Sequence, residues 1–194
     1  ESIDFVNGLS HLKQMEDLEP FLEENKKSFK GIELAGSTLG VVGLGAIGSK
    51  VASMGVALDM NVIGYDPALS VAAAWKLPSE VVPAESMKSL FGASDFISIH
   101  IPSLDSTKGV INEELFKKAK NVSLLNFARH EVVNTKHVLK YLEQGNIKNF
   151  ITDFPTPELI KRANDNKDVI LLPHIGASTS QAEENCAVMA VNQL

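Results

Sequence analysis

The chain has 194 residues, 44% of them hydrophobic, with 18 basic against 24 acidic side chains and a net charge of -6. That is enough apolar content for one large domain with a full core, and an acid excess without a basic run argues against nucleic acid, whose phosphates demand clustered Lys and Arg. No apolar stretch reaches the roughly 18 residues of a membrane-spanning helix, no basic-then-apolar leader opens the chain, and Cys186 alone permits neither an internal disulfide nor a cysteine metal cluster. The expectation is a cytoplasmic protein acting on small molecules, with no metal, no membrane and no nucleic acid.

Residues 1–30 are charged and helical in pattern, with Phe5, Leu9, Leu12 and Met15 on one face and Pro20 suited to the first turn of a second helix. That face needs a partner, either within its own domain or on another subunit or domain. His11 is read as solvated. From Thr38 onward strand and helix patterns alternate, which predicts a doubly wound parallel α/β sheet. The predicted strands are 39–43, 61–65, 95–101, 121–127, 148–153 and 168–172. The predicted helices are 46–58, 70–76, 86–92, 112–119, 135–144 and 178–194, with His137 solvated in the fifth and Cys186 packed in the last. There is no fixed-period repeat and no low-complexity segment. The start at Glu1 and the stop at Leu194 inside a helical pattern suggest an excised piece.

The first strand and helix carry the clearest chemical signal. Leu39 to Val42 is a short apolar run of the kind a strand buried on both faces requires, and Ile47, Val51, Met54 and Leu58 recur at helical spacing. Between them lies Gly43-Leu44-Gly45-Ala46-Ile47-Gly48. Gly43 permits a sharp exit from the strand, Gly45 lets backbone approach a phosphate, and Gly48 lets the helix pack closely on the sheet. The free amides at the helix start, around Ala46 and Ile47, then face a pyrophosphate. Asp66 ends the second strand 18 residues past Gly48, where such folds bond adenosine ribose hydroxyls. A turn before Pro67 would also use an aspartate. As a ribose ligand it would repel a 2'-phosphate, so NAD is favoured over NADP.

In an open parallel sheet the ligand lies beyond the carboxyl ends of the strands. Those ends are polar here: His100-Ile101-Pro102, Asn126-Phe127-Ala128-Arg129, Thr152-Asp153-Phe154-Pro155 and Pro173-His174-Ile175-Gly176-Ala177-Ser178. An arginine, an acid and a histidine converge beside the expected nicotinamide. Together with G-L-G-A-I-G and Y-D-P, these segments resemble the NAD-binding domain of the D-2-hydroxyacid dehydrogenases, most of all bacterial D-3-phosphoglycerate dehydrogenases. The resemblance covers essentially the whole chain.

The resemblance implies roles. Arg129 would grip the substrate carboxylate and carbonyl oxygen, a task suited to a planar guanidinium fork. His174 would be the acid/base that removes the hydroxyl proton, and Glu158 the carboxylate that pairs with it and orients it. Asp153 would hold the nicotinamide carboxamide, with His100, Pro102, Phe127, Ala128 and Gly176 lining the cofactor. Two positions depart from the family. It reads D-V-F, two residues and then E-P, whereas here Pro157 precedes Glu158, and His130 replaces the glycine after the arginine.

The expected whole is a Rossmann nucleotide-binding domain over 1–194 without its substrate domain, in which segments 1–35 and 178–194 link to that absent domain or form a dimer contact. Its implied activity is NAD-dependent oxidation of a D-2-hydroxyacid, foremost 3-phosphoglycerate in serine biosynthesis, in a homodimer. The piece alone would bind NAD and turn over substrate hardly or not at all. The alternatives are a glyoxylate/hydroxypyruvate reductase or D-lactate type of dehydrogenase, and a non-catalytic NAD-sensing module like a corepressor.

Overall fold

The structure, a computed structural model, describes residues 2–11 and 15–191, and side-chain surroundings for 5–9 and 18–191. Leu12, the side chains of His11 and Met15, and positions 192–194 of the predicted last helix lie outside the described residues. The chain falls into two compact units, 1–33 and 34–194, where the sequence pattern treats 1–194 as one domain with a helical flank.

The first unit holds α1 (Ser2–Asn7) and α2 (Met15–Asn25), each followed by a 3-10 turn, Gly8–His11 and Lys26–Phe29. Pro20 sits inside α2 rather than in its first turn. The ring of Phe5 meets those of Phe21 and Phe29 at centroid distances of 6.0 and 4.9 Å, and these aromatic contacts are what the amphipathic pattern supplies.

The second unit is a seven-stranded sheet, parallel throughout: β1 (Thr38–Val42), β2 (Asn61–Tyr65), β3 (Val82–Pro83), β4 (Phe96–Ile99), β5 (Val122–Asn126), β6 (Ile147–Thr152) and β7 (Val169–Leu171). Its spatial order is β3-β2-β1-β4-β5-β6-β7. The connections carry α3 (Gly48–Ala57), α4 (Val71–Ala74), α5 (Met87–Ala93), α6 (Glu113–Phe116), α7 (Thr135–Glu143) and α8 (Pro157–Asp165), and α9 (Ser180–Val191) follows β7. Successive residues of β1 feed different cores. Leu39 and Val41 join Leu44, Ala52 and Val62, while Val42 joins the larger cluster of Leu90, Phe91, Phe116 and Phe150. A strand whose neighbours alternate in this way is covered on both faces, which explains its continuous apolar run.

Two elements were not legible as such. β3 is only two residues long and contains Pro83, so it offers no alternating pattern. α8 has a complete start signal: the Thr156 hydroxyl accepts from Leu159 N at 3.3 Å, Pro157 opens the first turn, and Glu158 adds the acid favoured there.

α3 also buries a different face from the one its large apolar residues suggest. Gly48, Ala52 and Gly55 are buried against the sheet, whereas Ile47 and Met54 are 67% and 65% exposed. Small residues win because the helix lies close: a Cβ on Gly55 would stand 2.7 Å from Leu39 Cδ2. His137 is half-buried and its Nδ1 accepts from Glu113 N at 3.3 Å at the start of α6, so it is not solvated. Cys186 is exposed, on a helix with no buried residue among those described, so it is not a packing residue.

The tightest approach is at Gly48, where a Cβ would lie 1.8 Å from the carbonyl oxygen of Gly43. Backbone cannot yield as a side-chain tip can. In an open helix Gly→Ala gains about 1 kcal/mol, but overpacking costs about 1–3 kcal/mol or more, so Gly48→Ala is expected to lower unfolding free energy. Gly45→Ala, with open space around the added methyl, is expected to change stability by under about 0.5 kcal/mol. Urea denaturation of the two variants measures the contrast, and equal stabilities would contradict it.

Candidate active site

The strand order reverses between β1 and β4, and there a crevice opens at the carboxyl ends. Three hydrogen-bonded strand ends define it: Gly43 N donates to Tyr65 O at 2.9 Å and His100 N to Val42 O at 2.7 Å. Gly43 has φ +90°, and a Cβ on it would sit 2.6 Å from His100 O, so glycine is required both for the turn and for the passage between strands. Beyond it Gly45, Ala46 and Ile47 are exposed at the start of α3, and Gly48 is buried.

Three hollows run along this edge. The first, about 760 Å³, lies past β2 and is lined by Leu44, Asp66, Trp75, Leu77, Pro83 and others. The second, about 240 Å³, lies at the switch point among Gly45, Ala46, Ile47, His100, Pro102, Phe127, Ala128 and Arg129. The third, about 530 Å³, is lined by Arg129, His130, Glu131, Asp153, Phe154, Pro155, Thr156 and His174. Arg129 is common to the second and third. Eleven of the sequence-predicted residues therefore line these three hollows. Gly176 lies in an exposed turn outside these hollows.

Asp66 holds two backbone amides. Its Oδ1 accepts from Ala68 N at 2.9 Å, as a turn residue would, and its Oδ2 accepts from Leu44 N at 2.8 Å inside the glycine turn. A carboxylate has about four lone-pair sites, so each oxygen retains acceptor capacity toward the first hollow.

The far end is set by buried polar residues that the motifs contain but do not advertise. Asn126 ends β5 buried; its Oδ1 accepts from Ala128 N at 3.2 Å and its Nδ2 donates to Arg129 O at 3.0 Å, which fixes the loop that carries the arginine. Thr152 ends β6 buried; its Oγ1 donates to Asn126 O at 2.9 Å and accepts from Phe154 N at 3.2 Å. The readable signal was a polar residue, Asn126 or Thr152, at the carboxyl end of each strand. Arg129 itself is exposed, with Nη1 donating to Ala128 O at 2.6 Å, and no carboxylate among the described residues pairs with it.

His174 lies beside the end of β6, and Glu158 lies in the first turn of α8. His174 Nδ1 lies 3.1 Å from Asp153 Oδ2, and its ring meets that of Phe154 at a centroid distance of 4.9 Å. Glu158 occupies the first turn of α8 and lines another hollow with Leu139, Lys161 and Arg162. Its own backbone N–H and the Thr156 hydroxyl hold its carboxyl below the usual range. The reversed Pro-Glu order is the cause: Pro157 starts the helix, and Glu158 follows it into the helical turn. The carboxylate beside the His174 ring here is that of Asp153.

These residues fit a dinucleotide. The cradle at Gly43 and Gly48 has no room for a side chain, and Gly45 leaves open space. Asp153 Oδ1 is buried without a hydrogen-bond partner, an acceptor that a carboxamide N–H would satisfy. Among the described residues no group of three or more His, Cys, Asp or Glu is placed to hold a metal ion, and no helix is long and apolar enough to cross a membrane.

Sheet order, glycine turn and the carboxylate after β2 define a Rossmann dinucleotide-binding domain. The chain belongs to the D-isomer specific 2-hydroxyacid dehydrogenases, whose NAD-binding domain it matches over residues 5–176, and its cofactor is NAD. It is 37% identical over 165 residues to D-3-phosphoglycerate dehydrogenase of Rattus norvegicus, covering 84% of this chain and 30% of that protein. With hydroxypyruvate reductase of Thermotoga maritima it shares 35% identity over 175 residues, 87% of this chain and 55% of that one. The NAD-complexed D-isomer specific 2-hydroxyacid dehydrogenase of Lactobacillus delbrueckii ssp. bulgaricus superposes with a TM-score of 0.75 at 26% identity, over 86% of this chain and 54% of that one. The chain therefore spans only part of the length of these relatives.

His100 adds a pH dependence. Its Nε2 lies 2.8 Å from the hydroxyl of buried Ser98, and burial pushes its pKa below the ordinary 6.5. The unfolded chain then takes up this proton first as pH falls, so stability is retained above about pH 6.5 and lost below it. Melting temperature followed from pH about 7.5 to about 5 is expected to fall more steeply for the native chain than for His100→Gln. Parallel curves would contradict this.

Proposed function

We propose that this chain is the cofactor half of an NAD-dependent D-2-hydroxyacid dehydrogenase whose substrate is 3-phosphoglycerate. The observation that carries the reading is the third hollow, where Arg129, with no carboxylate partner among the described residues, and His174, 3.1 Å from Asp153, face one space. NAD, when bound, supplies the hydride acceptor. Arg129 offers two parallel N–H donors to the substrate carboxylate, which fixes the hydroxyl-bearing carbon. As C2 gives up hydride, His174 Nε2 takes the hydroxyl proton, and the C2–O bond becomes a carbonyl. Holding both reactants in one cleft lowers the entropic part of the barrier.

Phosphoglycerate is favoured among 2-hydroxyacids by the similarity to the rat enzyme, and a panel with glycerate and lactate separates the choices. A non-catalytic sensor would have no use for Arg129 beside His174. In the complete protein, loss of a bidentate grip worth about 1.5–3 kcal/mol per bond predicts a fall in kcat/KM of about 100- to 10,000-fold for Arg129→Ala. Unchanged turnover in that variant, or none by the native protein on any 2-hydroxyacid, would overturn the reading. Calorimetry of the 194-residue chain is expected to show NAD binding at least about tenfold tighter than NADP, a difference of about 1.4 kcal/mol that Asp66→Ala abolishes.

A further inference from the structure

We propose that Ser98 and His100 form a hydroxyl and imidazole pair that aims a neutral N–H donor, Nδ1 of His100, at the diphosphate of the bound dinucleotide. The proposal depends on the NAD site and not on which hydroxyacid is oxidised. Ser98 lies within β4, paired with Val41 of β1 on one side and Leu125 of β5 on the other, and it is 5% exposed. Its hydroxyl is therefore fixed in the interior. His100 stands two residues on in extended chain, on the same face, with its backbone N–H anchored on Val42 O at 2.7 Å. Ser98 Oγ and His100 Nε2 are 2.8 Å apart, at full hydrogen-bond distance.

Proton accounting then sets the tautomer. Burial holds the pKa of His100 below the ordinary 6.5, so at neutral pH the ring is uncharged and carries one hydrogen. The imidazole is the only hydrogen-bond partner of the Ser98 hydroxyl among the described residues. If Nε2 held the ring hydrogen, the buried hydroxyl hydrogen would be left without an acceptor, the kind of orphan that folded interiors avoid. With Nε2 bare, Ser98 O–H donates to it and the ring hydrogen sits on Nδ1. That nitrogen has no bond to the described residues, yet Asp153 Oδ1 is the one buried side-chain polar atom among them without a partner, so Nδ1 is open and not sealed. The space that His100 lines is the switch-point hollow, shared with Gly45, Ala46 and Ile47. No carboxylate of the described residues lines it, and Arg129 is its charged side chain. A phosphate oxygen there meets the amides at the start of α3 on one side and the imidazole N–H on the other. Ser98 is thus a positioning residue and His100 a cofactor-binding one.

Nitrogen-15 two-bond correlation spectra of the 194-residue chain at pH about 8.5, above the ordinary histidine range, read this without turnover. The His100 ring, assigned by loss of its signals in His100→Gln, is expected to show protonated Nδ1 and bare Nε2. Saturating ADP-ribose, which carries the diphosphate without nicotinamide, should shift the Nδ1 resonance, and adenosine, which has no phosphate, should leave it in place. In Ser98→Ala the hydroxyl donor is gone, so the Nε2–H form should appear and ADP-ribose should bind about three- to tenfold more weakly. An Nε2–H ring in the native chain would overturn the proposal whether or not Ser98→Ala folds, and so would a tautomer unchanged in a folded Ser98→Ala. An Nδ1 signal that stays in place while ADP-ribose moves the amides of Gly45 and Ala46 would overturn the contact and leave the NAD site standing. Equal shifts of Nδ1 with adenosine and ADP-ribose would overturn its assignment to the diphosphate.

Discussion

The close approach of backbone at the carboxyl ends of neighbouring β1 and β4 is the constraint on which the rest depends. At that point a Cβ on Gly43 would stand 2.6 Å from the carbonyl oxygen of His100, and a Cβ on Gly48 would stand 1.8 Å from that of Gly43. Two strands, a turn and a helix start are thereby packed backbone against backbone. This packing sets the entry of α3, exposes Gly45 to Ile47 and turns Asp66 onto the amide of Leu44. The first hollow and Arg129 lie to either side of this point, along the carboxyl edge of the sheet.

The framework was legible because hydrophobic period and glycine spacing are local properties. All six strands and all six helices read from Thr38 onward are present, with ends moved by a few residues. The errors arose where a tertiary distance or a competing local rule decided. Ile47 and Met54 look like the buried stripe of α3, but a helix lying so near the sheet can present only Gly48, Ala52 and Gly55 to it. Family order suggested Glu158 as the partner of His174, whereas Thr156 and Pro157 form a helix start that carries Glu158 away. The capping signal was in the sequence and outweighs the motif. That Asp153 would then meet Nδ1 is a contact between β6 and the loop after β7, and no spacing rule encodes it.

The site divides labour between exposed and buried groups. Arg129 and His174 are accessible, while buried Asn126 and Thr152 fix the Arg129 loop with hydrogen bonds and Asp153 lies 3.1 Å from the His174 ring. A buried polar residue left without its partner costs about 1–3 kcal/mol, so this support is rigid only while every member is satisfied. The exception is Asp153 Oδ1, and its position makes it an acceptor for cofactor.

On the proposed reading NAD spans this edge from a ribose end at Asp66 to a nicotinamide end at Asp153 and His174. Amide chemical-shift mapping of the 194-residue chain with NAD, and again with ADP-ribose, tests it most directly. Both ligands should move the amides of Gly45, Ala46, Ile47 and Asp66, and only NAD should move those of Asp153, Phe154 and His174. Shifts confined to other faces of the sheet, or identical maps from the two ligands, would contradict the account.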